Sequence, residues 1–265
     1  MKASKLYKYL DADGGLAMLS NSNIQFTNAT RLNDPFDCHP SLIDFSNVPE
    51  SQVRIWGQEL VMKAESNRYE NYRNDTWLCS LSKVNNSLLM WSYYSNHKGI
   101  CIGLDMEKTR KCLSNILCSN FIGALEFDVQ YKQIIEKPDY FKYKNGFDLL
   151  KYQLSTKAKE WEHEQEVRLV LINPTPAIIP NHFCMVTMAL PHEPKDKTKA
   201  IDWREVRAYH KIDGECFESV CLGVNIGEDK RNQIIEATKN LNPDIKICQM
   251  KVDAGAFKLH TEQIY

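Results

Sequence analysis

Apolar and polar positions along the chain predict a run of short strands and helices. Residues 5–10 alternate as a strand, with Tyr7 and Tyr9 on one face and Lys8 on the other. A turn at 11–15 leads to a short helix at 16–19 and an alternating strand at 23–27. Residues 48–72 carry Val53, Trp56, Leu60, Val61 and Ala64 at helical spacing, behind Pro49 and Glu50. Residues 77–82 form an apolar strand, 83–87 a polar loop, 88–94 an aromatic helical stretch, and 99–105 a second strand. Gly99 is the residue of that turn free to adopt a positive φ. Helices are predicted at 107–117, 148–161 and 229–241. Further strands are predicted at 124–131, at 167–172, at 183–190, at 203–212, from 218 onward, at 244–252 and at 257–260.

Strands without a single repeated crossover pattern, interspersed with helices, indicate an α+β fold with mixed, mostly antiparallel sheets and flanking helices. No repeat, low-complexity run or linker divides the chain, so residues 1–265 read as one domain.

Composition narrows the classes. A hydrophobic content of 43% and a charged content of 25% fit a globular domain with a sizeable core. A net charge of -1 supplies no global drive towards nucleic acid or anionic membrane. No apolar run approaches a membrane span, and the N-terminus has no signal-peptide pattern. The nine cysteines are odd in number, and Cys79, Cys101, Cys184, Cys221 and Cys248 sit in strand-like runs. Reduced thiols in the cytoplasm are the expectation. No zinc spacing is present, so no metal is expected.

Three stretches carry candidate chemistry. The crossover between strands 77–82 and 99–105 gathers Asn85, Asn86, Trp91, His97 and Lys98 at strand ends, where sites are commonly built. The loop 28–37 ends in Asn33-Asp34-Pro35-Phe36-Asp37, a turn whose Asp34 is kept from helical geometry by Pro35, with Phe36 expected as its anchor. The third is Trp161-Glu-His-Glu-Gln-Glu-Val-Arg168. A strand beginning near Glu164 would put Glu164, Glu166 and Arg168 on one face. Such charges either pair with each other or line a cleft. Two adjacent carboxylates separate in pKa, which suits acid–base or charge-stabilising work. Gly223 and Gly227 at a strand-to-helix turn offer backbone N–H groups to an anion, but without a recognised nucleotide-loop spacing.

Several of these motifs together resemble the bacterial DUF2971 family: Tyr7-Lys-Tyr9, Leu32-Asn-Asp-Pro-Phe-Asp37, Cys79-Ser-Leu-Ser82, Leu89-Met-Trp-Ser92, His97-Lys-Gly99, Val129-Gln-Tyr131, Glu164-x-Glu166-x-Arg168 and Cys221-Leu-Gly223. That family name implies no activity. The order of a polar first strand, a Ser-x-Ser strand and a Glu-x-Glu strand is also similar to ADP-ribosyltransferase folds, which split their β core around an NAD cleft. This second resemblance implies an enzyme that consumes NAD as substrate and modifies a macromolecule, protein or nucleic acid, as a toxin or phage-defence effector. It implies Glu166 as the catalytic carboxylate and Glu164 as the residue orienting the target. Ser80 and Ser82 would support the pocket, and Tyr7, Lys8 or Tyr9 would contact NAD. The first strand has no arginine and the serine strand no central threonine; Arg31 would supply the missing cation. An NAD glycohydrolase is the same chemistry with water as acceptor. A non-catalytic module is the other main expectation, with Asn33, Asp34 and the rest of that loop to Asp37, Trp91, His97 and Arg168 binding a nucleotide or peptide. A carboxylate hydrolase and a Cys–His nucleophile, Cys79 or Cys101 with His97, rank below these.

Overall fold

A computed structural model describes residues 2–114, 124–143, 146–172 and 207–265. In chain order the elements are β1 (Lys5–Leu10), α1 (Ala12–Asn21), β2 (Asn23–Asn28), α2 (Glu50–Trp56), α3 (Gln58–Asn74), β3 (Thr76–Ser82), α4 (Leu88–Ser95), β4 (Ile100–Asp105), α5 (Met106–Ser114) and β5 (Leu125–Asp128). There follow β6 (Gln130–Lys132), α6 (Gly146–Ser155), β7 (Thr156–Ala158), β8 (Glu166–Ile172), β9 (Arg207–Lys211), β10 (Phe217–Leu222), α7 (Glu228–Leu241), β11 (Lys246–Val252) and β12 (Leu259–Gln263).

The main sheet runs β12-β11-β10-β4-β1-β3-β2-β9, with β8 and β5 branching from β3. Its pairings are antiparallel except β10 with β11, so the α+β, mostly antiparallel expectation holds. The branch at β3 positions the site. One edge of β3 pairs with β8 along its full length, Thr76↔Ile172 to Ser82↔Glu166. The other edge is shared: β2 takes its start, Thr27↔Leu78, and β1 its end, Tyr7↔Ser82. Between those two registers the sheet splits. Strand alternation then sorts the side chains. Trp77, Cys79 and Leu81 of β3 and Val167, Leu169 and Leu171 of β8 join the main core. On the opposite face Leu78, Val170 and Ile172 join a second core with Tyr69, Tyr72 and Leu150. The same face, nearer the split, carries Ser80, Ser82, Glu166 and Arg168.

Several expected boundaries shift, each for a local reason. The helix read over 48–72 is two helices, because Gly57 at φ 80 breaks it; Trp56 and Leu60 are exposed, and Val61, Tyr69 and Tyr72 do the packing. The strand read over 124–131 is interrupted at Val129, whose N–H turns to the Glu166 carbonyl. Gly99 is not the positive-φ residue of its turn. Asn96 and His97 take that geometry, and Gly99 is required because a Cβ there would lie 2.1 Å from the Leu10 carbonyl oxygen. The strand at 183–190, Cys184, the last residues of the 107–117 helix and the start of the 203–212 strand lie outside the described residues. Among the described residues no helix is long and apolar enough to cross a membrane.

Candidate active site

The split in the sheet opens a cleft of about 210 Å³. Tyr7, Lys8 and Tyr9 of β1, Thr27 of β2, and Ser80 and Ser82 of β3 line it, with Arg31 and Asn33 at the loop side and Glu164 and Glu166 at its floor. Lys8 donates to the Ser80 carbonyl at 2.9 Å, serving a strand oxygen at the point where β1 and β2 part. Three segments remote in sequence therefore meet where the backbone ladder is interrupted.

The floor is an ionic cluster buried from solvent. Arg168 is 0% exposed. Its Nη1 and Nη2 donate to the two Asp37 oxygens at 2.7 and 2.6 Å. Its Nε and Nη2 donate to Glu166 at 2.8 and 3.1 Å, and Nη1 also reaches the Leu154 carbonyl at 2.8 Å. The guanidinium thus bridges two carboxylates in fork geometry, with its donors satisfied. Lys157 donates to Glu164 at 2.5 Å and Glu166 at 3.2 Å, and lies 5.0 Å above the Trp161 ring. The Tyr94 hydroxyl donates to Glu164 at 2.6 Å, and the Tyr131 hydroxyl accepts the Glu166 N–H at 2.8 Å. Asp37, Glu164 and Glu166 outnumber Arg168 and Lys157 by one, so the floor carries one net negative charge when all are ionised.

Burial alone would raise the Glu166 pKa. The charges of Arg168 and Lys157, with hydrogen bonds from Arg168 and Ser80, outweigh it and hold the carboxyl well below the usual range. Burial pulls the Lys157 ammonium down, and Glu166 and Glu164 more than restore it. Burial first, then Glu164, pushes the Tyr94 phenol far above its ordinary value, so it remains a hydrogen-bond donor. A depressed carboxylate adds stability above its unfolded value, ~4.3 for glutamate, and loses it as pH falls towards the folded value. The denaturant midpoint is therefore expected to fall steeply below about pH 4. Glu166→Gln should flatten that fall; equal slopes in both proteins would contradict the assignment.

Glu164 is not on the strand. It ends a 3-10 turn, Lys159–Glu164, and Gln165 at φ 44 reverses the chain before β8 begins at Glu166. That left-handed residue returns both carboxylates to Lys157. The helix read over 148–161 ends at Ser155, since residues 156–158 pair with β6 in parallel register. This pairing carries Lys157 into the cluster. Phe36 is no anchor, being 56% exposed; the buried Asp37, clamped by Arg168, pins the loop. Asp34 is buried and caps its own turn, accepting from the Phe36 N–H at 2.9 Å, and does not line the cleft. Trp91 is fully buried, donating to the Asn85 carbonyl and packing on Tyr9. His97 lines a different cavity, beside Val224, Asn225 and Phe257. Arg168 lies beneath the cleft and positions Glu166. Cys79 and Cys101 are wholly buried, with thiols pushed up by burial, which removes them as nucleophiles. The Gly223 N–H is already donated to the Gly99 carbonyl at 2.9 Å, so it offers nothing to an anion. Lys157 and Tyr94 had no sequence signal as site residues, while Asp37 and Tyr131 had one only as members of the Leu32–Asp37 and Val129–Tyr131 motifs.

No curated protein and no solved structure matches the chain. Residues 90–169, the stretch that holds most of α4, Lys157, Glu164, Glu166 and Arg168, match the model of DUF2971, a family described as a protein of unknown function, and the resemblance to that family rests on this stretch.

Proposed function

We propose that the chain is an NAD-consuming, ADP-ribosyltransferase-like enzyme that modifies a macromolecule, protein or nucleic acid, in a reducing cytoplasm. The observation that carries the reading is the convergence of Tyr7–Tyr9, Ser80 with Ser82, and Glu164 with Glu166 on one cleft at a split in the sheet. Breaking the bond between ribose C1′ and the nicotinamide nitrogen sends the electron pair to the ring and leaves positive charge on the ribose. A buried floor with one net negative charge favours both the cationic ring and that developing charge. Lys8 and Arg31 also line the cleft and are cations suited to phosphate. A cleft of about 210 Å³ is smaller than the ~300–1,000 Å³ that encloses a drug-sized ligand. It fits one end of the dinucleotide, with the remainder across its mouth. Glu164, held by Tyr94 and Lys157, would be the residue that orients the acceptor. Pure protein incubated with NAD and with a lysate acceptor is expected to release free nicotinamide. No release under either condition would overturn the reading.

One observation favours a second reading, a non-catalytic nucleotide-binding module. The carboxylate oxygens of Glu164 and Glu166 are already engaged by Tyr94, Lys157 and Arg168. Such a module would return bound NAD intact.

A further inference from the structure

Cys112 and Cys216 stand apart from the cleft and play no part in it. Cys112 is near the end of α5, and Cys216 closes the short 3-10 turn Gly214–Cys216 that leads into β10. Their sulfurs are 3.5 Å apart, in contact, although the residues are 104 positions apart in the chain. Cys216 is buried, whereas Cys112 is partly exposed and donates its S–H to the Asp213 carboxylate at 3.3 Å. α5 directly follows β4, and the turn directly precedes β10, its neighbour in the sheet. The two backbones are held in register by strands that the thiols do not form.

We propose that Cys112 and Cys216 form a peroxide-oxidisable dithiol, with Cys112 the reacting sulfur and Cys216 the resolving one. Accessible thiols beside a second cysteine are the ones that oxidise reversibly. The Cys112 sulfur attacks hydrogen peroxide; the O–O bond breaks, a sulfenic acid forms, and the thiol proton leaves with the second oxygen as water. Asp213 is placed to relay that proton. Cys216 then attacks the sulfenic sulfur; the S–O bond breaks and the hydroxide departs with the Cys216 proton as a second water. Burial first, with Cys112 beside it, pushes the Cys216 thiol up to about 12, which leaves the first step to Cys112. The resulting disulfide closes the loop that contains Lys157, Glu164, Glu166 and Arg168. Cross-linking so long a loop restricts the unfolded chain strongly.

Cys221 and Cys248 provide an internal comparison. They are also neighbours, but both sit mid-strand in the parallel register of β10 and β11, where the backbones are fixed on both sides.

The native full chain would be treated with hydrogen peroxide and mapped by peptide mass spectrometry. The expected products are a Cys112–Cys216 cross-linked peptide, lighter by two hydrogens, and a thermal midpoint raised by several degrees that reverts with dithiothreitol. Cys112→Ser should remove both. Cys216→Ser should leave a Cys112 sulfenic acid that dimedone traps. Oxidation of Cys112 to sulfinic acid without the cross-linked peptide, cross-linking at other cysteines alone, or a Cys112 that peroxide leaves untouched would each overturn the proposal. The wild-type peptide map decides the matter even if a serine variant fails to fold.

Discussion

Arg168→Ala is expected to destabilise the chain by at least ~3–5 kcal/mol, the cost of removing one partner from a buried ion pair. Here one guanidinium serves two carboxylates, Asp37 and Glu166, and also the Leu154 carbonyl. Its loss leaves three buried carboxylates around Lys157 alone. It also frees the 33–37 loop, which Asp37 ties to β8. Against a typical total stability of about 5–15 kcal/mol, that is a large share of what holds the chain folded. Arg168→Lys should recover only part of the loss, because an ammonium cannot fork to both acids. Urea denaturation followed by circular dichroism measures this. A loss below about 1 kcal/mol in Arg168→Ala would mean that the cluster does not hold the fold.

How much of this was legible in the chain follows from where each signal lies. β1, β3, β4 and β8 were readable because buried strands are written as local apolar runs, such as Thr76–Ser82 and Glu166–Ile172. The positions of Tyr7, Lys8, Tyr9, Ser80, Ser82 and Glu166 followed from their placement on those strands. Lys157 was not readable. Leu149, Leu150, Tyr152, Leu154 and Ala158 keep a helical period past Ser155, and only pairing with β6, some 26 residues earlier in register, draws 156–158 into extended geometry. Glu164 stands at the end of a 3-10 turn and not on the strand, since nothing in Glu-Gln-Glu announces a left-handed glutamine. Trp91 and His97 were drawn towards the cleft by their chemistry, but α4 turns the indole into the core. The His97 turn packs its carbonyl against the Asn225 N–H.

Glu166→Gln carries the largest expected effect on activity. The substitution keeps the shape, removes one charge and brings the floor from one net negative charge to neutrality. A fall of ~10²–10³-fold in nicotinamide release is expected, the scale seen when one preorganised electrostatic group is removed from a site. The amide also places a donor against Arg168 and Lys157, so stability should drop by a smaller amount, roughly 1–3 kcal/mol, while the fold survives. Glu164→Gln should behave differently, lowering transfer to the macromolecular acceptor more than hydrolysis of NAD. A Glu166→Gln protein that is folded and fully active would remove the carboxylate from the mechanism.

The most direct test of the account is a crystal structure of the chain soaked with NAD. The prediction is nicotinamide and its ribose between Tyr7, Ser80 and Glu166, with the diphosphate towards Lys8 and Arg31. NAD lodged in the His97–Phe257 cavity, or absent at saturating concentration while the cleft stands open, would contradict it.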